Sequence, residues 1–355
     1  MQELVLSKTS ESLVQRAAYV LRVHVWLLVF VTGYMAAAII AAEVTGRILW
    51  LPWSYLRFLG ILIGALGAWG VACYTVYIVW RDRPQRPLRH VADSLATRVI
   101  TLERCLGTAI ATLALFFHAT AFSFFKCLIP TIQPYTWDER LAAVDRQIHF
   151  GWHPWEHLQT VLTAAWMTRF IDFAYVLWLP AITVGVVCFV LTDSSSRLRM
   201  QFLLTNMLGW CLLGTILGTA LASGGPCYYE HFAGGTSPYQ PLMEYLTATD
   251  AVSGLKAIAI QEWLWEGLLN EETKIGYGIS AMPSLHVAVP FMFVLAFWNV
   301  NRIASYCLLG FTALIMVGSV HLAWHYAIDG YVALAGVGAI WWGVGRLLAR
   351  DSVFE

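Results

Sequence analysis

Two short stretches in the C-terminal part of the chain carry side chains suited to acid–base and nucleophilic chemistry. The first, Gly278–Ala288, reads GISAMPSLHVA, and the second, Gly318–Gly330, reads GSVHLAWHYAIDG. Histidine gives or takes a proton near neutral pH, and a neighbouring carboxylate fixes which ring nitrogen carries the proton. These two stretches are therefore the candidate reaction centre.

The first stretch predicts a helix start that binds an anion. Pro283 suits the first helical turn, because it has no N–H to leave unpaired. Ser284, Leu285 and His286 would then present free backbone N–H groups at the positive end of the helix, a favourable place for phosphate. Ser284 adds a hydroxyl donor and His286 adds an imidazole.

The second stretch predicts a nucleophile and the group that orients it. On one helix, His321, His325 and Asp329 would share a face at spacing i, i+4, i+8. Asp329 would accept a hydrogen bond from Nδ1 of His325 and leave Nε2 free to attack. His321 would contact the phosphate or only cap the helix face. With His286 protonating the leaving oxygen, the set predicts phosphoryl transfer through a phosphohistidine.

Two other interpretations use the same side chains. The histidines and Asp329 would also suit a structural polar cluster between helices. A zinc site made by His286, His321, His325 and Asp329 has the right ligand types. We expect neither a metal nor another cofactor, because backbone donors stabilise a phosphohistidine reaction without a Lewis acid.

The elements that position these residues are expected to be membrane helices. The chain has 355 residues, of which 59% are hydrophobic and only 12% charged, whereas soluble domains carry about 25% charged residues. Basic and acidic residues balance at 22 each, so we expect no nucleic acid partner. The fold class is therefore an all-α polytopic membrane protein whose partner is the lipid bilayer.

About eight transmembrane helices are predicted, each close to the length that spans a bilayer. A ninth apolar stretch, Trp155–Trp166, is short and is expected to form an interfacial or re-entrant helix. The eight predicted spans are Val23–Ala42, Phe58–Trp80, Cys105–Ile129, Phe170–Leu191, Phe202–Leu221, Pro283–Trp298, Ile303–Val320 and Tyr331–Leu348.

The distribution of basic residues predicts the orientation. With eight spans and the N-terminus inside, the cytoplasmic segments carry about twice as many Lys and Arg residues as the outer ones. Both termini would then face the cytoplasm. Thr131–Arg169 and Ser223–Met282 would face the outside, together with both histidine stretches.

The motifs resemble those of the type 2 phosphatidic acid phosphatase superfamily, which also includes vanadium haloperoxidases. Pro283–His286 (PSLH) resembles its PSGH motif, and His325-x-x-x-Asp329 resembles its H-x-x-x-D. The likeness is closest to the branch containing inositol phosphorylceramide synthases, where PSLH and HY-x-x-D are typical. Gly225–Tyr229 (GPCYY) resembles the Gly-Pro-Tyr segment of bacterial members of that branch.

The resemblance implies a six-helix catalytic core over residues 105–348. Residues 1–104 would add an amphipathic segment, two further spans and a basic cytoplasmic loop, and residues 349–355 a cytoplasmic tail. The catalytic residues would be His325, His286 and Asp329. The phosphate- or substrate-binding residues would be Ser284, Lys126, His321, Gly225, Pro226 and Tyr228.

The cations that usually bind phosphate in this superfamily are missing here. The third motif should begin Ser-Arg, and Gly318 and Ser319 stand at those positions; the first motif, K-x6-R-P, has no match outside. Lys126, near the outer end of the third predicted span, is the candidate replacement, since ionisable residues at membrane depth are functional by default. The alternative is that the Lys126 side chain only extends to the membrane interface, where its charge meets water.

The implied function is transfer of a phosphoryl or phospho-headgroup unit between lipids. Lipid phosphate hydrolysis, of the phosphatidate or polyprenyl phosphate type, is the first alternative, and a lipid transporter with a degenerate site is the second. Asp138 and Asp145 would orient an acceptor or a cation, or else form a solvated helix face. Asp172 would favour the start of the fourth span through the helix dipole.

Overall fold

Helices form all the regular structure in the part of the chain that the structure describes. The computed structural model describes the backbone of residues 2–354 and the side chains of residues 13–354. The chain is 78% helical and the described residues form no strand. The helices are α1 (Gln2–Val23), α2 (Val25–Thr45), α3 (Trp53–Asp82), α4 (Pro87–Ser94), α5 (Leu102–Ile132), α6 (Asp138–Ile148), α7 (Pro154–Gln159), α8 (Ala165–Leu191), α9 (Arg197–Gly209), α10 (Gly218–Ala220), α11 (Tyr229–Phe232), α12 (Gln240–Ser253), α13 (Lys256–Leu269), α14 (Leu285–Phe297), α15 (Arg302–His321) and α16 (Ala327–Ala349).

Seven segments of the described chain are long and apolar enough to cross a membrane. They are α2, α3, α5, α8, α15, α16 and the continuous Arg197–Ala220, in which a π-helical stretch joins α9 to α10. Each begins and ends within a few residues of a predicted span. The prediction of an all-α polytopic membrane protein is therefore confirmed.

The remaining predicted span, Pro283–Trp298, is shorter than expected. It forms the 13-residue helix α14, which at about 1.5 Å per residue is only about 20 Å long. Most of its residues are buried, because α14 packs against α9, α15 and α16 inside the bundle. Since α14 is covered by protein along most of its length, it need not match the thickness of the bilayer.

The two long loops fold into short helices over one end of the bundle. The first loop contains α6 and α7, and the second contains α11, α12 and α13. In the predicted interfacial stretch Trp155–Trp166, only the six-residue α7 is helical before α8 begins. Helix α6 packs against α11 and α16, and α12 and α13 pack against α8. These loop helices therefore pack on α8 and α16.

Helices α2 and α3 pack against membrane helices that follow them in the chain. Helix α2 packs against α5 and α9, while α3 packs against α5 and α8 and buries only Leu59 and Ile78. The predicted boundaries of segments 1–104, 105–348 and 349–355 stay predictions. The outermost residues of these segments, Met1 and Glu355, lie outside the described residues.

Candidate active site

The two histidines of the predicted reaction centre lie side by side at one end of the bundle. His286 is in the first turn of α14, and His325 is in the turn that precedes α16. Nε2 of His325 lies 3.4 Å from Nδ1 of His286, and the ring centroids are 5.5 Å apart. The two ring nitrogens are therefore close enough for one histidine to exchange a proton with a group bound to the other.

The other nitrogen of His325 is held by two acceptors. Its Nδ1 lies 2.8 Å from the Ala281 carbonyl and 3.3 Å from Oδ2 of Asp329. A carbonyl oxygen only accepts, so Nδ1 must carry the proton and Nε2 is left with a lone pair. The predicted bond to Asp329 is present, and the Ala281 carbonyl is a closer partner that sequence reasoning missed.

The single helix predicted through His321, His325 and Asp329 does not form. Helix α15 ends at His321, and α16 begins six residues later. Ala323 takes a left-handed conformation between them, and the N–H groups of Trp324 and His325 both donate to the Ser319 carbonyl. This turn closes the end of α15, so the i, i+4, i+8 argument does not apply.

His321 consequently faces a different set of groups. It is fully buried, and its Nε2 is 2.9 Å from the hydroxyl oxygen of Thr168 on α8. The ring also packs edge-on against Tyr245. The structure therefore places His321 in a polar contact between α8, α12 and α15, apart from the His286–His325 pair.

Helix α14 begins two residues later than predicted. Pro283 lies before the helix, Ser284 is the N-cap residue, and α14 begins at Leu285. The N–H of Ser284 is not free, because it donates to the backbone carbonyl of Asp329 at 3.1 Å. The N–H groups of Leu285 and His286 have no acceptor in the described chain, as expected for a helix N-terminus.

Lys126 lies near this centre. Gly278, which leads into the first motif, packs against the Lys126 backbone. A Cβ atom at Gly278 would lie 2.9 Å from the Lys126 carbonyl. Within residues 13–354, no carboxylate lies within 4.0 Å of its amino group. Lys126 is therefore available to an anion.

Aromatic rings form a wall around His286. The ring of Tyr175 stacks on His286 with centroids 4.8 Å apart, and the ring of Trp178 lies 4.4 Å away. Trp324 is parallel to Tyr175 at 6.2 Å. Sequence reasoning missed Tyr175 and Trp178, because their only signal is apolar helix composition 108–150 residues away from the two histidines.

The Gly-Pro-Cys-Tyr segment lies against the turn that carries His325. The N–H of Cys227 donates to the Ala323 carbonyl, and a Cβ atom at Gly225 would come within 2.5 Å of the Trp324 carbonyl. Gly225 also has a positive φ of 93°, which favours glycine. The Tyr228 hydroxyl donates to the Gln261 carbonyl. Pro226 opens the 3-10 turn between them.

Helix α6 holds the same turn from the other side through two buried aspartates. Asp138 accepts from the N–H groups of Gly224 and Gly225, both at 2.9 Å, and from the Tyr326 hydroxyl at 2.8 Å. Burial raises the pKa of Asp138, and these donors oppose that rise. Only 1% of Asp138 is exposed, so the alternative of a solvated helix face is wrong for this residue.

Asp145 is equally buried and caps the start of α16. Its two oxygens accept from the N–H groups of Ala327 and Ile328 at 3.2 and 3.0 Å. Burial likewise raises the pKa of Asp145, and the two amides oppose the rise. Asp172 on α8 caps the start of α13 in the same way, because its oxygens accept from the backbone N–H groups of Lys256 and Ala257. The aspartates therefore bind backbone amides, and each oxygen of Asp145 already accepts one hydrogen bond from the start of α16.

We expect Asp145→Ala to lower the activity by more than its loss of stability explains. Loss of a helix cap costs about 0.5–2 kcal/mol of unfolding free energy, and the freed helix start carries Asp329. Asp172→Ala is the matched control, since it uncaps α13 and leaves α16 intact. Thermal unfolding in detergent and turnover would be measured for both. If Asp145→Ala and Asp172→Ala lose the same stability and also the same activity, Asp145 has no positioning role.

The predicted zinc site does not assemble. Its four ligands are divided, because His321 contacts Thr168 while His286 and Asp329 contact opposite sides of the His325 ring. No group of three or more His, Cys, Asp or Glu side chains in the described part of the chain has an arrangement that could hold a metal ion.

Comparison with known proteins identifies the family. The model of the PAP2 superfamily matches residues 139–343, more than half of the chain, and the match includes both histidine stretches. No curated protein and no solved structure matches significantly. The paired histidines, the buried aspartate and the helix start beside them lie within the matched region. The chain therefore belongs to the PAP2 superfamily.

Proposed function

We propose that this protein is a membrane lipid phosphotransferase that acts through a phosphohistidine on His325. Superfamily membership suggests a lipid phosphatase or phosphotransferase. The observation that carries the finer proposal is the state of His325, whose Nδ1 is held by the Ala281 carbonyl while Nε2 lies 3.4 Å from His286. An imidazole in this tautomer has its nucleophilic lone pair on Nε2, beside a potential proton donor.

In the first half-reaction, Nε2 of His325 attacks the phosphorus of the donor lipid. The N–P bond forms while the P–O bond to the leaving group breaks, and His286 gives its proton to the leaving oxygen. Asp329 stabilises the positive charge that develops on the His325 ring. The free N–H groups of Leu285 and His286 and the ammonium of Lys126 suit the negative charge on the phosphoryl oxygens.

The second half-reaction reverses these roles. An acceptor hydroxyl attacks the phosphorus, His286 removes the hydroxyl proton, and the N–P bond breaks to restore His325. When the acceptor is a lipid alcohol the product is a new phospholipid, and when it is water the enzyme is a phosphatase. The choice depends on how well the site excludes water.

The surroundings of His286 favour an alcohol over water. The rings of Tyr175 and Trp178 pack directly on His286 and give it an apolar wall. Leu285, which occupies the glycine position of the PSGH motif, packs against Gly214, where the missing Cβ leaves room for it. A dry site slows hydrolysis of a phosphoenzyme and lets a bound hydroxyl compete. These features support the synthase-like branch that the PSLH and HY-x-x-D motifs resemble.

A product-partition experiment tests the transfer reaction. Purified protein would receive labelled phosphatidate, polyprenyl phosphate or phosphodiester lipids as donors, with and without lipid alcohols such as diacylglycerol and ceramide. We expect the label to pass mainly to the alcohol, with little release to water. His325→Ala protein is the background control. If release to water dominates with every acceptor, the protein is a lipid phosphatase.

We further propose that both termini face the cytoplasm and that residues 105–348 form the catalytic core with its site outside. The excess of basic residues in the predicted inner segments supports this orientation. Thr236 and Ser195 are exposed in loops at opposite ends of the bundle. A cysteine at Thr236 should react with an impermeant thiol reagent on intact cells, and one at Ser195 only after permeabilisation. The reverse pattern would overturn the orientation.

A further inference from the structure

Three buried hydrogen-bond donors beside the histidine pair have no partner in the described chain. They are the hydroxyl of Ser284 and the indole N–H groups of Trp178 and Trp324. Ser284 is 0% exposed and Trp178 is 5% exposed. Because buried polar groups are nearly always hydrogen-bonded, each unpaired donor calls for an explanation such as a bound ligand.

The three residues that carry these donors lie close to the histidine pair. The ring of Trp178 packs 4.4 Å from the ring of His286. Trp324 directly precedes His325 and is parallel to Tyr175, which stacks on His286. Ser284 is the N-cap residue two positions before His286, and its hydroxyl caps no backbone N–H. All three residues therefore lie close to His286 or His325, by ring contact or by position in the chain.

This part of the molecule leaves no room for the missing arginine. Gly318 packs closely under α8, so that a Cβ atom there would meet Ile171 and Tyr175 at 3.1 Å. Ser319 is 1% exposed, and its backbone carbonyl already accepts from Trp324 and His325. A long cationic side chain at either position would displace this packing.

We infer that the indole N–H groups of Trp178 and Trp324 bind the phosphoryl oxygens of the substrate, beside the Ser284 hydroxyl that the motif already predicts for this task. This inference rests on the proposed function and identifies the groups that replace the missing arginines. Neutral donors in a site shielded from water bind an oxyanion strongly, because the hydrogen bonds are charge-assisted and the donors are already oriented. Both tryptophans are then substrate-binding residues as well as parts of the aromatic wall.

Removal of a single N–H from each indole tests this role. Trp178→Phe and Trp324→Phe keep an aromatic ring, and replacement of either residue by benzothienylalanine keeps the full bicyclic shape with sulfur in place of N–H. Trp210→Phe is the matched control, because its N–H donates to Asn206 within the same helix. Orthovanadate, which mimics the transferred phosphoryl group, is the probe, and its binding would be followed by vanadium NMR line broadening.

We expect each site variant to bind vanadate about 10- to 100-fold more weakly, the loss typical of one hydrogen bond to a charged group. The KM for the donor lipid should rise in parallel, and the Trp210 control should match the wild type. Unchanged vanadate binding in the benzothienylalanine proteins, or no vanadate binding by the wild type, would overturn the inference. If vanadate binding falls in the variants while the wild type transfers no phosphoryl group, the anion site stands and the proposed function fails.

Discussion

His325→Ala is expected to abolish turnover, by about 10⁴-fold or more, because it removes the atom that forms the N–P bond. The structure gives this residue a fixed tautomer, with Nδ1 on the Ala281 carbonyl and Nε2 toward His286. The measurement is transfer of labelled phosphate from donor lipid to acceptor. A variant that retains full activity would eliminate the phosphohistidine mechanism.

Asp329→Asn should lower turnover without abolishing it. We expect a loss of about 10²-fold, smaller than that for His325→Ala, because the Ala281 carbonyl still accepts from Nδ1 when the carboxylate is gone. His321→Ala serves as the spatial control, since His321 binds Thr168 and does not join the pair. If His321→Ala is as inactive as His325→Ala, the division between these two histidines is wrong. A lipid transporter with a degenerate site would keep its transport activity in all three variants.

His286→Ala is expected to slow turnover by about 10²–10⁴-fold, the usual contribution of a general acid–base group. The loss should depend on the leaving group, because a nitrophenolate departs without a proton whereas a lipid alkoxide does not. With a nitrophenyl phosphoester as donor, the first half-reaction should proceed and the second should stall, since no base remains to activate the acceptor. The variant should therefore accumulate phosphoenzyme.

The trapped species has a distinctive chemistry. Labelled phosphate on a histidine nitrogen is lost in acid and retained in base, which separates it from a phosphoserine or an acyl phosphate. The double variant with His325→Ala should carry no label, and mass spectrometry should place the label on His325 in the single variant. Label on another residue, or equal loss of activity for good and poor leaving groups, would contradict the role assigned to His286.

Hydropathy alone determined much of the architecture. Composition and the length of the apolar segments predicted the membrane spans to within a few residues, because a bilayer requires long apolar helices whatever their neighbours. Helix α14 was the exception. Its sequence is as apolar as a span, but it is buried by α9, α15 and α16, and only the packing decides that it is short.

The reactive residues were also readable from the sequence, but their geometry was not. The PSLH and H-x-x-x-D patterns single out His286, His325 and Asp329 by local spacing. The turn after His321 breaks the helix that this spacing suggested, because Ala323 adopts a left-handed conformation and two amides close on the Ser319 carbonyl. A local periodicity argument cannot anticipate such a break.

Only the tertiary structure decided which groups support the reaction. The Ala281 carbonyl on His325, the Asp138 carboxylate on Tyr326 and the ring of Trp178 on His286 join residues 44, 188 and more than 100 positions apart. For Asp138 and Asp145 the sequence left a binding role and a solvated face both open, because helical spacing indicates only that they share one side of α6. Whether that side meets water or the backbone amides of another segment depends on how the loops fold over the bundle, and here they bury both carboxylates.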